Sequence, residues 1–350
     1  MSTEELVSTR AVSPSPRVSI VGVGGAGNNL LSRAIVGGIS PDDCIAVNTD
    51  KSQLSRSAAI NKILLDGESA EGSDATPQNS SSRRMLQLSA HRVKPFTESS
   101  DCTILLAGLG GGTATETAPA IAQVARSSIR PVISVVAIPF IHERERRFVA
   151  MRGLKHMVDA CDCTVVVDNA VEDAFSHPSK RQADEKASLA VQTLTELMSK
   201  IDPGLIPEAL RIMSLGPIAL ICSAPVLPTE TIQRGVIQAL RAPSANLPLA
   251  KTMGAVLIQR GPTRMGEGEA AQAYDALVSL IGRDVEFMHT NVESSAESTV
   301  CLLLTGYDYG TAVRAFVDFI EDLYDIEYGQ PSENSLLRLH SPLFQMEWPC

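Results

Sequence analysis

Two glycine-rich stretches carry the residues best suited to binding chemistry in this sequence. Residues 22–29 read GVGGAGNN, and residues 108–116 read GLGGGTATE. Each stretch follows an apolar run and precedes a segment with helical periodicity, and in that context the backbone N–H groups of a glycine turn bind phosphate. Glu116 departs from this pattern, since a carboxylate near a bound phosphate repels it. The two stretches therefore predict a phosphate site whose competence depends on where Glu116 points.

The surrounding pattern predicts the elements that position these turns. The first half of the chain alternates helical segments with apolar strands read in RVSIVGVGG, CIAVNTD, CTILLAGLGGG, PVISVVAIPF and CTVVVDNA. Such runs are typical of parallel strands buried on both faces, and ligands bind at the carboxyl ends of those strands. One long helical segment follows, and then a second group of strands and helices. We expect a Rossmann-like parallel α/β domain joined by a long central helix to a smaller α+β domain with a mostly self-contained sheet.

The composition narrows the functional classes. The chain has 350 residues, of which 44% are hydrophobic and 20% charged, as in ordinary soluble proteins. A formal net charge of -10 argues against a nucleic-acid partner, which would need a basic face. The seven cysteines are scattered, and we interpret Cys161 and Cys163 as thiols at the start of a strand rather than as metal ligands. No segment reads as a signal peptide or a membrane span, so we expect a cytoplasmic protein with no metal site of its own.

Four ordered motifs resemble one known family. GVGGAGNN, AVNTD, GLGGGTATETAP and the pair Pro139-Phe140 occur in the order and spacing of the GTPase domain of the FtsZ and tubulin family. Residues 254–308 look like the activation domain of FtsZ, so the resemblance covers residues 17–308. The chain is identified as a diverged member, similar to the archaeal non-canonical type. The implied divisions are a disordered tail (1–16), a nucleotide-binding domain (17–178), a central helix (179–203), an activation-type α+β domain (204–309), and a C-terminal helix with its tail (310–350).

The resemblance implies that the chain binds GTP or GDP, with Mg²⁺ as an optional companion of the phosphates. The first turn would lie along the nucleotide, with one asparagine at the guanine edge, and the second would hold the diphosphate. The residues at the end of the strand in AVNTD would lie beside the phosphate and sugar. A glutamate and an arginine after Pro139-Phe140 would contact ribose and phosphate. A carboxylate on the long helix would accept hydrogen bonds from guanine. The implied ligand residues are Gly24, Gly25, Ala26, Gly27, Asn28, Asn29, Asn48, Asp50, Gly110, Gly111, Gly112, Thr113, Ala114, Thr115, Glu143, Arg147, and Asp184 or Glu185.

Some of these residues have an ordinary structural role as an equal alternative. Glu143 and Arg147 belong to the charged run HERERR, which is also typical of a solvated helix start. Asp184 and Glu185 also fit exposed positions of an amphipathic helix. The glycines could also serve only to form turns. Because several loops of the family pattern occur in order, the ligand-binding interpretation is favoured for them.

Two loops near the phosphates depart from the family pattern. The family's second glycine loop reads Gly-Gly-Gly-Thr-Gly-Thr-Gly, and this chain has Ala114 and Glu116 at the later glycines. In the loop that meets the γ-phosphate, Asp74 and Thr76 replace a glycine and an asparagine. The Glu116 side chain can point away from the ligand, since glutamate is also favoured in the first turn of a helix. A second acid at the γ-phosphate end implies either a preference for GDP or a stronger need for Mg²⁺.

The largest departure follows the long helix. In FtsZ this segment reads Pro-Gly-Leu-Ile-Asn-x-Asp-x-x-Asp, and its acids polarise the attacking water in the neighbouring subunit's site. Here it is shorter and reads PGLIPEALRIMS, with Pro207 at the asparagine and Ala209 at the first aspartate, so Glu208 is the one acid left for catalysis. Because phosphoryl transfer depends on such positioning, we expect hydrolysis to be weak or lost, as in a pseudo-GTPase.

These features leave three hypotheses. The first is a cytoskeletal protein of cell division or cell organisation that binds guanine nucleotide and forms head-to-tail filaments with itself or with an FtsZ paralogue. The second is a self-sufficient GTPase that uses Glu208, and the third is a scaffold of the same fold without nucleotide. The helical segment after residue 310 is expected to pack on the second domain. The chain's end, with Leu343, Phe344, Met346 and Trp348, reads as a docking peptide for a protein partner or as a flexible or core-covered end.

Overall fold

The computed structural model describes residues 16–65, 90–127, 130–171, 179–294 and 297–316. The strands are β1 (Val18–Val23), β2 (Cys44–Asn48), β3 (Asn61–Leu64), β4 (Cys102–Gly108), β5 (Val132–Ile138), β6 (Cys163–Asp168), β7 (Ile218–Pro225), β8 (Gly254–Gly261), β9 (Glu286–Glu293) and β10 (Thr299–Tyr307). They form one ten-stranded sheet in the order β3-β2-β1-β4-β5-β6-β7-β10-β8-β9.

The helices within the described residues cover both faces of the sheet. They are α1 (Gly24–Val36), α2 (Lys51–Ser55), α3 (Lys94–Thr97), α4 (Gly112–Arg126), α5 (Arg144–Ala160), α6 (Lys180–Ser199), α7 (Ile206–Met213), α8 (Ile232–Ala239) and α9 (Glu267–Ile281). Short 3-10 turns occur at Pro41–Asp43, His91–Val93, Pro203–Leu205 and Leu249–Lys251. A further helix, which we call the terminal helix, covers residues 309–316.

The sheet from β3 to β7 is parallel throughout. Every residue of β1, β2 and β6 is buried, as continuous apolar runs predict. Leu31 of α1 and Leu194 of α6 belong to the core on one face, while Ile121 of α4 and Leu154 of α5 belong to the core on the other. The predicted α/β class with a buried parallel sheet is confirmed.

The second group of strands continues the same sheet. β10 pairs antiparallel with β7 and β8, and β9 pairs parallel with β8. We expected a mostly self-contained sheet here, but Thr164 and Val165 of β6 pair with Ile218 and Ala219 of β7. The pairing is confined to these positions, which lie at the amino end of β7. The hydrophobic pattern of each strand could not show this junction, because it depends on where a distant strand ends.

The central helix α6 ties the two groups of strands together. Ser179 caps its N-terminus by accepting a hydrogen bond from the Gln182 N–H. Near its other end, Glu196 is buried and accepts hydrogen bonds from Nε and Nη2 of Arg260 on β8, at 2.8 and 2.5 Å. Since both side chains of this ion pair are buried, removal of Glu196 would leave the Arg260 guanidinium in the core without its carboxylate.

The terminal helix brings the end of β10 back to the first group of strands. Asp308 caps the helix, and the Thr311 N–H donates to its carboxylate at 2.6 Å, which holds the pKa of Asp308 below its ordinary value. The Tyr309 hydroxyl donates to the Met151 backbone oxygen on α5 at 3.0 Å. The sequence predicts packing on the second domain, and the structure adds this contact with the first.

Other expectations fall outside the described residues. They concern residues 1–15 of the tail that the sequence predicts to be disordered, the loop with Asp74 and Thr76, and the chain end with Leu343, Phe344, Met346 and Trp348. Within the described ranges, no helix is long and apolar enough to cross a membrane.

Candidate functional site

The first glycine turn joins β1 directly to α1. Gly24 has a φ of +70°, in the left-handed region that favours glycine. Gly27 packs against the neighbouring strand, because a Cβ atom there would lie 2.3 Å from the Leu106 backbone oxygen. The N-cap residue Val23 gives α1 no side-chain hydrogen bond, and the first turn of α1 contains no acidic residue. The first N–H groups of α1 therefore face the carboxyl edge of the sheet, at the positive end of the helix dipole.

The second glycine turn joins β4 to α4 in a similar way. Gly110 has a φ of +93°, and a Cβ atom there would lie 2.4 Å from the Arg146 backbone oxygen. The Thr115 hydroxyl is buried and accepts a hydrogen bond from the Gly110 N–H at 3.0 Å, which fixes the turn. Gly111 is the N-cap, and no acid lies in the first turn of α4. A second set of backbone donors therefore opens at the same edge.

The two turns touch each other. A Cβ atom on Gly108 would lie 2.4 Å from the Ala26 side chain, and one on Gly24 would lie 3.2 Å from that of Ala114. Ala114 is buried, so its methyl group fits beside Gly24 without entering the space in front of the turns. Two converging helix N-termini bordered by glycine form a concave anion site. The residues present therefore fit a bound phosphate group.

The two asparagines of the first turn point in different directions. Asn28 is buried, and its Nδ2 donates to the Val47 backbone oxygen at 3.3 Å, so it supports the turn from behind. Its Oδ1 is buried and has no hydrogen-bond partner among the described residues. Asn29 is exposed on the outer side of α1. Of the two side chains, that of Asn29 is the one open to solvent.

The expected residues at the end of β2 lie at the same edge but already have protein partners. Asn48 is buried, and its Oδ1 accepts from the Asp50 N–H at 3.2 Å. The Asp50 carboxylate caps α2 by accepting from the N–H groups of Ser52 and Gln53 at 2.7 and 3.0 Å. These residues shape the wall of the site.

Thr113, in the first turn of α4, also has a protein partner. Its hydroxyl lies 3.0 Å from that of Thr49, so the two side chains bridge the segment after β2 and the second glycine turn.

Glu116 does not enter the space between the turns. Its carboxylate lies 3.5 Å from the guanidinium of Arg152 on α5, and its side chain is 13% exposed. The methyl group of the preceding Thr115 lies against Gly153 of the same helix. The α4 side chains at this point therefore face α5, and the acid that departs from the family pattern is directed away from the backbone donors.

Arg147 has a different position from the one expected beside the ribose. Its guanidinium binds the Asp168 carboxylate in a bidentate ion pair, at 2.8 and 3.0 Å, and Nη1 also donates to the Pro139 backbone oxygen. The side chains of Arg147 and Asp168 are only 1% and 6% exposed. Asp168 ends β6 inside the core, and a buried carboxylate needs a cation beside it. The expected ligand arginine is therefore engaged within the protein.

Glu143 and Arg146 form an outer pair in front of this buried one. Glu143 Oε2 accepts from the Phe140 N–H at 3.0 Å, and Oε1 accepts from Arg146 Nη1 at 2.5 Å. Arg146 is about half exposed and lies beside Gly111. The sequence pattern does not single out Arg146. The only available signal was its membership of the run HERERR, in which several cations are equivalent by pattern.

The carboxylates expected at the guanine edge are separated by the geometry of α6. Asp184 faces α1, where its Oδ2 lies 2.6 Å from Arg33 Nη2. Glu185 is directed away and pairs with Arg181 of its own helix at 2.8 Å, with its side chain 56% exposed. Asn29 and Arg33 lie one turn apart on the exposed side of α1. The structure therefore brings Asp184, rather than Glu185, to the face that runs from the first glycine turn.

The segment that carries Glu208 lies at the opposite edge of the sheet. Glu208 is exposed in the first turn of α7, whereas Ala209 is fully buried in the core. A cleft of about 490 Å³ lies next to α7, at the amino ends of β5 and β6. Its lining consists of Arg126, Arg130, Pro131, Ile133, Asp162, Cys163, Leu210, Met213 and Ser214. This cleft is separate from the glycine turns, and we assign the candidate site to the turns because the anion-binding groups converge there.

No group of three or more His, Cys, Asp or Glu side chains among the described residues is arranged to hold a metal ion. Cys161 and Cys163 are both buried, and burial raises the pKa of each thiol to about 12. Thiols of this kind are inert at neutral pH.

Comparisons with known proteins match both halves of the chain. Residues 17–171 match the model of the Tubulin/FtsZ family, GTPase domain. The chain is 30% identical to the cell division protein FtsZ of Haloferax mediterranei over 328 residues, which cover 89% of this chain and 86% of that protein. It is 29% identical to cell division protein FtsZ 1 of Methanocaldococcus jannaschii over 316 residues, covering 87% and 85%. A solved FtsZ structure from M. jannaschii superimposes with a TM-score of 0.69 at 27% identity, covering 84% of this chain and 91% of that one.

Proposed function

Because the chain belongs to the tubulin/FtsZ family of cytoskeletal GTPases, we propose that it binds GTP or GDP at the two glycine turns and assembles head to tail with little hydrolysis of its own. Such assembly would serve cell division or cell organisation. The contact between the N-termini of α1 and α4 carries the proposal, since it gathers backbone donors while Glu116 pairs with Arg152. Mg²⁺ would accompany the phosphates when GTP is bound.

The base end of the proposed site lies along α1 and α6. Asn29 is exposed on α1, and the Asp184 carboxylate of α6 binds Arg33, one turn further along α1. A carboxylate accepts hydrogen bonds from the N1–H and 2-amino groups of guanine, whereas adenine offers no matching pair of donors. We therefore assign the recognition of guanine to Asp184, with Asn29 as its neighbour.

Weak hydrolysis is supported by the segment after α6. At the position where the family has its first catalytic aspartate, Ala209 contributes a methyl group to the core. Pro207 lies in the first turn of α7 next to Glu208, so the segment that a subunit would lend to its neighbour presents a short helix with one acid. Because water activation requires acids at fixed positions, this helix should support little turnover.

The altered segment after α6 lies at the amino edge of the sheet and does not change the glycine turns at the carboxyl edge. In a mixed filament, the glycine turns at the carboxyl edge of this chain would meet the amino edge of an FtsZ paralogue. That paralogue would carry the family's aspartates. Hydrolysis of the nucleotide held by this chain would then depend on its partner. We therefore propose co-assembly with such a paralogue as the condition for turnover.

A second candidate function is a self-sufficient GTPase. The observation in its favour is the exposure of Glu208, whose carboxylate is free to reach a neighbouring subunit. If Glu208 replaces the missing aspartates, hydrolysis would require assembly but no companion protein.

One experiment separates these functions. The purified chain is denatured in acid to identify any bound nucleotide, and its steady-state GTP turnover with Mg²⁺ is then measured alone and with an active FtsZ. The same assays are made on Glu208→Ala and on Glu267→Ala, a matched control in which an exposed acid is lost from the first turn of α9. We expect bound guanine nucleotide, low turnover in all three proteins, and a rise on mixing.

Other outcomes would contradict the proposal. Brisk turnover that only Glu208→Ala removes would establish the self-sufficient GTPase. A chain that contains no guanine nucleotide and binds none would be a scaffold of the same fold. Pelleting with and without GTP would test assembly separately.

A further inference from the structure

Arg146 occupies a position in front of the second glycine turn. A Cβ atom on Gly111 would lie 3.8 Å from Arg146 Nη2, so the guanidinium is directly beside the N-cap of α4. The Arg146 backbone oxygen also packs against Gly110, which fixes the start of α5 relative to the turn. The side chain therefore begins from a fixed backbone, next to the N–H groups that would receive a phosphate.

Arg146 and Arg147, near the N-terminus of α5, have different partners and different exposure. Both terminal nitrogens of the Arg147 guanidinium, Nη1 and Nη2, are committed in the core to Asp168 and Pro139. Arg146 is 51% exposed and uses Nη1 for its bond to Glu143, while Nη2 is the nitrogen beside Gly111. A guanidinium has five N–H donors in a planar fork, so one side can bind a carboxylate while the other binds a phosphate oxygen.

The geometry points to Arg146 as the side chain that binds the phosphates of the nucleotide, with Glu143 as the residue that positions it. This inference rests on the proposed binding of guanine nucleotide, and it assigns to Arg146 the phosphate contact that the resemblance implied for Arg147. Glu143 accepts from the Phe140 N–H and from Arg146 at once, so it anchors the guanidinium to the loop after β5. Its role is then orientation of the arginine rather than a contact with the ribose.

Equilibrium binding of GDP, GTP and guanosine to the nucleotide-free full chain tests the inference. Arg146→Gln removes the charge from a half-exposed side chain, and it should lower the affinity for GDP and GTP roughly tenfold. The affinity for guanosine should not change, because guanosine has no phosphate. Arg146→Lys keeps a charge at the site and should recover part of the affinity. The loss in Arg146→Gln should shrink as salt is added, since the side chain is open to solvent.

Matched variants separate this role from general effects. Arg283→Gln removes the same charge from an exposed residue after α9 and should bind all three ligands as the wild type does. Glu143→Ala should weaken GDP binding in the wild-type background and have no further effect in the Arg146→Gln background, because it acts through the arginine. Thermal unfolding of each variant shows whether it is folded.

The outcomes distinguish the inference from the function on which it rests. A wild-type chain that binds none of the three ligands overturns both. Wild-type binding of GDP together with unchanged binding by Arg146→Gln overturns the inference alone. An equal loss of guanosine and GDP would place Arg146 at the base or ribose and would overturn it as well. Loss of guanosine binding in Glu143→Ala would show a direct ribose contact and overturn the positioning role.

Discussion

At the carboxyl edge of the sheet, two glycine turns keep the backbone conformation that a phosphate site needs, whereas at the amino edge α7 presents Glu208 alone. The two edges rely on different parts of the chain. The carboxyl edge uses backbone N–H groups held by close packing, as at Gly27 and Gly108. The amino edge would need two or more side chains at fixed positions, and Ala209 is buried where one of them belongs.

This difference shows why binding and hydrolysis can separate in one fold. A phosphate cradle made of backbone persists as long as the glycines and their neighbours persist, so substitutions such as Glu116 are tolerated when their side chains find other partners. Water activation depends on the side chains themselves, so a few substitutions remove it. Substitutions at the two edges would show whether the carboxyl edge is a complete phosphate site and whether the amino edge lacks the side chains for hydrolysis.

The largest effect is expected from Asp168→Ala, which removes one partner of the buried ion pair behind the carboxyl edge. Arg147 would remain in the core without its carboxylate, and such losses cost about 3–5 kcal/mol. Urea denaturation at neutral pH measures the change in the free energy of unfolding. Asp159→Ala is the control, because Asp159 pairs with Lys155 on the surface of α5 and its loss should cost at most about 0.5 kcal/mol. Equal costs would show that the core does not support this edge through the pair.

The next effect concerns the amino edge. Replacement of the three residues 207–209 by the six-residue family sequence Asn-x-Asp-x-x-Asp lengthens the segment and restores acids that position water. It should raise GTP turnover by on the order of 100-fold. The turnover should depend on protein concentration, because one subunit completes the site of another. The matched control has the same inserted length with asparagine at both aspartate positions. If the control gains as much as the restored variant, loop length rather than acidity limits hydrolysis.

A smaller effect is expected from Gly110→Ala, which tests the backbone of the second turn. Alanine at a φ of +93° is strained, and its Cβ atom would approach the Arg146 backbone oxygen to 2.4 Å. We expect a loss of about 2 kcal/mol in stability, with weaker GDP binding. Gly268→Ala in α9 is the control, since a Cβ atom there meets nothing within 4 Å. It should stabilise the chain by about 0.5–1 kcal/mol without affecting GDP binding.

Much of the fold could be read from the sequence, because each buried parallel strand carries its own apolar run. The edge strand Asn61–Leu64 was not predicted, since it is short and only partly buried. The junction between β6 and β7 was not predicted either, because pairing between distant strands leaves no local pattern. The glycine turns were predictable for the opposite reason. Their conformation and close packing demand glycine at fixed positions in the chain.

The side chains around the turns were harder to predict than the turns themselves. Arg147 and Arg146 are neighbours in a run of charges, and only the position of Asp168 at the end of β6 decides which of them is buried. Asp184 and Glu185 are likewise adjacent, and the orientation of α6 against α1 decides which one faces α1. The sequence names the residue types near a site, whereas their roles depend on partners that are distant along the chain.

The smallest effect is expected at the base end of the carboxyl edge. Asp184→Asn exchanges a carboxylate for an amide that accepts from the N1–H group but repels the 2-amino group of guanine. The affinity for GTP should fall roughly tenfold. Xanthosine triphosphate has a carbonyl oxygen in place of the 2-amino group, and the amide can donate to it. The variant should therefore bind xanthosine triphosphate better than the wild type does, as measured by competition against a fluorescent guanine nucleotide.

Glu185→Gln is the control for this exchange, because it makes the same chemical change one residue away on the side of α6 that pairs with Arg181. It should leave the preference between the two nucleotides unchanged. A switch in Glu185→Gln but not in Asp184→Asn would reverse the assignment of the guanine contact. A loss of GTP affinity in Asp184→Asn without any gain for xanthosine triphosphate would mean that Asp184 acts through its ion pair with Arg33, which joins α6 to α1 at 2.6 Å. In that case the carboxyl edge would recognise the base through other groups, and its likeness to a complete nucleotide site would be limited to the phosphates.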